Sequence, residues 1–233
     1  RSTMCGRFNL IDSPQVQLLC ALLGVPMPTH NFRADIAPGG PIAIVLERRN
    51  AEGQKSRQVS EATWWLLLDP TSLAPNYKYA SFNSRSDKLD LPRSAAYTPF
   101  RESRCIIPAS AFVEGLGDKK TYHKIELEDA AIAFGGVYKH YVNRETGESV
   151  FGASIVTLPP LIPQWQHIHP KSLPLMLDMN NKELIDKWLD PDFGRVEEFA
   201  QALEPRVTAT MKVTPIDRPS RWNPIADSFL IVA

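Results

Sequence analysis

A chain of 233 residues with 43% hydrophobic and 22% charged positions is long enough to bury one sizeable core. Its 26 basic and 26 acidic side chains cancel, so no global field draws it onto nucleic acid and any such binding must use local patches. No run of about 18 apolar residues and no charged-then-apolar opening stretch is present, which argues against a membrane span or signal peptide and for a cytoplasmic protein. The three cysteines, Cys5, Cys20 and Cys105, are too widely spaced for a disulfide framework or a metal knuckle, and Cys20 and Cys105 sit in apolar runs as inert core thiols.

In chain order, Ser13-Pro14 reads as the N-cap and first position of a helix with Val16, Leu19, Cys20 and Leu23 on one face, ended by Gly24. Residues 32–40 read as irregular, 42–46 as a strand, 48–57 as a hairpin tip and 63–68 as a second strand closed by Asp69-Pro70. In that strand Trp64 and Trp65 point to opposite faces, so one is available to a ligand unless both fill core. Over 76–93, Lys78, Arg85, Lys88 and Arg93 interleave with Tyr77, Tyr79 and Phe82, while Asp87 and Asp90 intervene. That composition fits a single-stranded nucleic-acid groove and equally a solvated loop. Residues 105–115 read as a buried strand broken by Pro108, with Glu114 either at a strand mouth facing water or in a pocket that raises its pKa.

Strands follow over 122–127, 132–138 and 151–157. Pro159, Pro160 and Pro163 then stiffen a loop ahead of His167-Ile168-His169-Pro170. Asn180 or Asn181 caps a helix carrying Leu184, Ile185, Trp188 and Leu189 on one face; a second helix spans 196–203, and short strands over 210–213 and 229–232 close the chain. Many short strands with few helices, out of βαβ order, imply an α+β fold around a mixed or antiparallel sheet.

Three ionisable groups stand out: Cys5, Glu114 and the His167/His169 pair. If translation starts at Met4 and the initiator is trimmed, Cys5 becomes an N-terminal 1,2-aminothiol, with Arg1-Ser2-Thr3 read as an expression scar. An α-amine titrates at about 7.7–8.0 against about 10.4 for lysine, so it is far more often the neutral nucleophile at pH 7 and should attack aldehydes. The neighbouring thiol would then close a thiazolidine, an intramolecular step with an effective molarity of about 10⁵ M or more. His-x-His on a strand puts both rings on one face and with Glu114 or Cys5 offers part of a zinc set; a third well-placed His or Cys is missing, so no metal is expected. No glycine-rich phosphate loop and no nucleophile elbow occurs.

Met4-Cys5-Gly6-Arg7-Phe8, Ile36-Ala37-Pro38-Gly39, the tryptophans at 64 and 65, Phe82-Asn83-Ser84-Arg85-Ser86-Asp87, Arg104-Cys105-Ile106-Ile107-Pro108-Ala109, Ala111-Phe112-Val113-Glu114, Ile155-Val156-Thr157 and Ile168-His169 resemble, in this order, the SRAP (SOS response-associated peptidase) family. The resemblance implies one domain over 4–233, built on an open β-barrel with peripheral helices. It implies a monomeric sensor of abasic sites in single-stranded DNA, nucleoid-associated when bound, that crosslinks its N-terminal cysteine to the ring-opened sugar aldehyde without a cofactor. Carried over by position, Cys5 resembles the crosslinking nucleophile, Asn83 the residue orienting sugar and cysteine, Glu114 the acid/base and His169 the group assisting ring opening. Arg7, Arg85 and Lys171 fall where the family grips phosphates, Trp64 or Trp65 where it packs on DNA, and Pro38 in the loop beside the site.

The sequence departs from the family's pattern where Lys171 stands for an arginine in a loop one residue longer, where Gly115 follows Glu114 in place of a tryptophan, and where Leu66-Leu67-Leu68 continue the tryptophan segment. Lysine cannot reproduce a bidentate phosphate fork. Two alternatives come from other classes: a cysteine peptidase that processes its own leader, and a non-catalytic module that binds single strands or a partner.

Overall fold

The computed structural model describes residues 6–161 and 163–233. Strand β1 (Arg7–Leu10) buries Phe8 and Leu10 and leaves Arg7 and Asn9 half-buried, an alternation the opening motif did not advertise as a strand. Helix α1 (Pro14–Leu23) forms as its spacing predicts: Ser13 Oγ accepts from Val16 N at 3.1 Å, Gly24 closes the end at φ 71°, and Val16, Leu19, Cys20 and Leu23 are buried. After it come β2 (Arg33–Ile36), β3 (Pro41–Arg49), β4 (Lys55–Thr63), β5 (Asn83–Arg85) and α2 (Tyr97–Glu102). The remainder is β6 (Arg104–Ala109), β7 (Ala111–Gly115), β8 (Tyr122–Leu127), β9 (Ile132–Val142), β10 (Ser149–Leu158), β11 (Leu173–Pro174), α3 (Lys182–Leu189), β12 (Met211–Ile216) and β13 (Phe229–Ile231).

Two sheets result. One runs β13-β12-β8-β7-β1-β2, antiparallel throughout. In the other, β3, β4, β10, β9 and β6 pair in turn, and β6 returns to β3 through Val45↔Ile106, so five strands close a barrel. Closure removes the edges that would otherwise need covering. Among the described residues only the β4–β10 and β5–β10 contacts are parallel, which makes the sheet mixed as expected. The single residue Ser110 carries the chain from β6 in the barrel to β7 in the other sheet, and the core lies where the two meet. There Phe112 packs edge-on to Phe134 at 5.5 Å, and Phe8 edge-on to Trp64 at 4.8 Å. Each such ring contributes about 2–3 kcal/mol by leaving water.

Several expectations need correction. The second strand is β4, ending at Thr63, so the hairpin tip is shorter than 48–57 and the residues from Trp64 onward leave the strand. Residues 33–36, expected to be irregular, form β2. Pro108 does not break β6, because that end of the strand pairs only with β9 and the missing N–H is not needed on the β3 side. The helix expected over 196–203 is one 3₁₀ turn, Val196–Phe199, while α3 with its Asn181 cap stands as predicted. No helix among the described residues is long and apolar enough to cross a membrane.

A buried cation ties the helices to the barrel. Arg104, at the start of β6, donates to the carbonyls of Phe100 and Arg101 at the end of α2 and of Lys187, Trp188, Asp190 and Phe193 around the end of α3. Helix C-termini present unpaired carbonyls and negative dipole ends, which a guanidinium fork satisfies. Burial lowers the Arg104 pKa to about 10, so it stays charged at neutral pH.

Candidate functional site

Glu114 lies on β7, flanked by β1 through the Arg7↔Val113 pair and by β8 through Glu114↔His123. It is 1% exposed, so it does not face water at a strand mouth. His169 reaches it from the loop after β10. That loop is pinned by the fully buried Trp165, whose indole N–H donates to Ser172 O at 2.7 Å and whose carbonyl accepts from Ile168 N and His169 N. His169 Nδ1 donates to Gly115 O at 2.7 Å and stands 3.5 Å from Glu114 Oε2. A carbonyl can only accept, so the ring proton sits on Nδ1 and Nε2 keeps its lone pair. Nε2 is buried and has no hydrogen-bond partner among the described residues. Burial, reinforced by the charge of Lys171, holds the His169 pKa below its ordinary value against the opposing Gly115 bond, so the ring is neutral at pH 7.

Asn83 opens β5, half-buried and in register with Ile155 of β10. The preceding Phe82 carbonyl accepts from Trp64 Nε1 at 2.9 Å and Ile155 N at 3.1 Å. Trp64 is therefore a brace for this segment. It is fully buried, and Trp65, 6% exposed, gives its N–H to Asn76 O at 3.0 Å. Neither ring has a face for DNA, which corrects the expectation that Trp64 or Trp65 packs on the strand; both fill core. The Ala37-Pro38-Gly39-Gly40 turn is tied to the same place, Gly39 at φ 87° donating to Trp64 O.

These elements border a cleft of about 720 Å³ lined by Gly6, Arg7, Pro38, Phe82, Gly115, His169 and Lys171 among others. The two candidate phosphate arginines are already neutralised: Arg7 pairs with Asp35, and Arg85 engages both oxygens of Asp87 at 3.1 and 2.6 Å. Lys171 is exposed and has no ion-pair partner among the described residues. His167 is exposed in a turn while His169 is buried, so the two do not share a strand face as the zinc reading required. Cys5 lies outside the described residues; Gly6, its neighbour in the chain, is on the cleft wall.

Sequence reasoning placed both strands of the β7–β8 hairpin but missed that it contributes Leu116, Gly117, Lys119 and Tyr122 to the cleft, and it missed the loop holding Pro219. The signal available was Gly115-Leu116-Gly117-Asp118-Lys119-Lys120, a glycine-punctuated basic tip between two apolar strands.

Comparison with known proteins bears on the family and the fold. A family model described as SOS response associated peptidase (SRAP) matches residues 4–219. The abasic site processing protein YobE of Bacillus subtilis (strain 168) is 30% identical over 197 residues, 82% of this chain and 86% of YobE. YoqW of the same organism, also named an abasic site processing protein, is 26% identical over 197 residues, covering 82% of this chain and 84% of its own. The crystal structure of a Bacteroides thetaiotaomicron protein shares the fold, with a TM-score of 0.69 at 18% identity over 92% of this chain and 93% of the other. The chain belongs to the SOS response associated peptidase family.

Proposed function

We propose that this protein processes abasic sites in single-stranded DNA by covalent capture through Cys5, once Arg1 to Met4 have been removed. What supports the reading most is the neutral His169 ring, its Nδ1–H committed to Gly115 O and its Nε2 uncommitted, beside buried Glu114 in a cleft whose wall includes Gly6. The relatives YobE and YoqW carry the name abasic site processing protein, which fits the same substrate.

The chemistry follows from the substrate. An abasic sugar is mostly a closed hemiacetal; opening it removes the hydroxyl proton and returns one to the ring oxygen, which takes a base and an acid side by side. His169 Nε2 takes the hydroxyl proton as the base, and Glu114, entering protonated, gives one to the ring oxygen. The Cys5 amine then attacks the aldehyde carbon, the carbinolamine loses water to give an imine, and the thiol adds across C=N while its proton passes to nitrogen. One water leaves in all, and a thiazolidine remains. A missing base removes the stacking and pairing cost of exposing a nucleotide, so the lesion is inexpensive to seat.

The test is to incubate protein beginning at Cys5 with a single-stranded oligonucleotide carrying an abasic site. A denaturant-resistant adduct one water lighter than the sum of its parts is expected, and Cys5→Ala abolishes it. Peptide turnover without an adduct would replace this reading with the peptidase one, and salt-sensitive binding without an adduct with that of a passive module.

A further inference from the structure

The geometry points to the β7–β8 hairpin as a clamp on the strand beside the lesion, with Tyr122 stacking on a flanking nucleobase and Lys119 pairing with a phosphate; this rests on the proposed abasic-DNA reading. With Trp64 and Trp65 buried, the rings that line the cleft among the described residues are, besides the His169 imidazole, Phe82 and Tyr122. Phe82 is wedged between the two tryptophans, at 5.8 and 5.6 Å. Tyr122 is different. It stands opposite Gly115 across the hairpin, and its ring lies against that glycine so closely that a Cβ there would sit 3.0 Å from Cε1 and 3.2 Å from Cδ1. One face of the ring is thus supported by backbone; the residue is half-buried and borders the cleft. A base next to an abasic gap has lost a stacking neighbour, and a supported aromatic face replaces it without regard to sequence.

The hairpin tip supplies the charge. Lys119 adopts φ 62°, a conformation that residues with a Cβ rarely take, and it is exposed on the cleft rim. The turn is held by Asp118, whose carboxylate accepts from Thr121 Oγ1, Thr121 N and Lys120 N, bonds that pull its pKa down to about 2. Asp118 is thus directed into the backbone, and Lys119 has no ion-pair partner among the described residues, unlike Arg7 and Arg85. A left-handed residue braced so firmly, with its cation on the cleft rim, is placed to meet a phosphate that the paired arginines do not meet.

The experiment uses the full chain beginning at Cys5 and single-stranded oligonucleotides holding a tetrahydrofuran abasic analogue, which has no aldehyde, with 2-aminopurine on either flank. Wild type should quench the fluorophore on one flank, Tyr122→Phe should keep the quench, and Tyr122→Leu should lose it with about tenfold weaker binding. Lys119→Gln should reduce the salt dependence of log affinity by about 0.7, the share of one phosphate on a single strand. No quench on either flank in bound wild type, or an undiminished quench in Tyr122→Leu, overturns the clamp, and an unchanged salt slope overturns the role of Lys119. Quench without an adduct on true abasic DNA keeps the clamp and sinks covalent capture. An adduct without quench sinks the clamp alone, and failure to bind either oligonucleotide overturns both.

Discussion

Arg104, on β6 of the barrel, and the pair of Glu114, on β7 of the other sheet, with His169, in a loop, are both buried and ionisable, yet they are finished differently. Around Arg104 six carbonyls accept from one guanidinium. In the other site Nε2 of His169 is buried and has no partner among the described residues. A saturated polar knot maximises stability, whereas an uncommitted lone pair in a dry place costs stability and is kept where chemistry needs it. Saturation therefore separates the two sites better than burial does.

The largest expected break in that comparison is Arg104→Ala. It strands carbonyls at the ends of both α2 and α3, and losing charge-assisted bonds in a buried place should cost about 3–5 kcal/mol in urea unfolding. Arg104→Lys should recover only part of this, since an ammonium has three donors and no planar fork. Molecules that remain folded should form the DNA adduct at the normal rate. A loss under about 1 kcal/mol would mean that these contacts are incidental.

His169 should give the reverse profile. Replacing it by Ala, or Glu114 by Gln, should slow adduct formation about 100-fold while weakening binding of an aldehyde-free analogue far less; His167→Ala, at an exposed turn, should leave the rate alone. Equal losses of rate and binding would remove the acid/base roles. The pH profile sharpens the point. Burial first, and then Lys171, lowers the His169 pKa, so the neutral ring persists below the ordinary value near 6.5; beneath the gradual decline set by the amine below about 7.7–8.0, the further loss due to His169 should appear only as pH drops through that lowered pKa. Stability runs in the same direction. Below about pH 6.5 the unfolded chain takes up a proton that the folded one refuses, so stability declines by up to about 1.4 kcal/mol per pH unit and levels off below the folded pKa. Buried His123, also lowered by desolvation, adds a like contribution to stability and none to the rate.

Legibility in the sequence follows the range of the interactions. Helices α1 and α3 could be read because caps and apolar spacing act within a few residues. The tryptophan segment could not. Its apolar run suited a strand, but Trp64 and Trp65 are fixed by carbonyls 18 and 11 positions away, at Phe82 and Asn76. Arg104 appeared only as part of a motif, since its role requires Trp188, 84 residues distant. In the site, Glu114 and His169 could be named from the motif order, but not the tautomer of His169, which depends on a main-chain oxygen 54 residues away. The pairing of Arg7 with Asp35 and the cleft face of Tyr122 are likewise set by strand register, to which composition is blind.

The smallest expected effect tests whether a paired arginine behaves more like Arg104 or like His169. Arg85 and Asp87 have side chains 54% and 56% exposed, so their ion pair contributes only about 0–1 kcal/mol to folding. Asp87→Asn should therefore leave the unfolding midpoint nearly unchanged while releasing a guanidinium fork to a phosphate. Binding of single-stranded DNA should tighten about threefold at low salt, the salt slope should steepen by about 0.7, and the gain should fade by about 1 M salt as screening sets in. Unchanged or weaker binding by Asp87→Asn would mean that Asp87 holds Arg85 as a brace. In that case Arg85 would belong with Arg104 among the structural cations, and the cleft would rely on its lysines for phosphate.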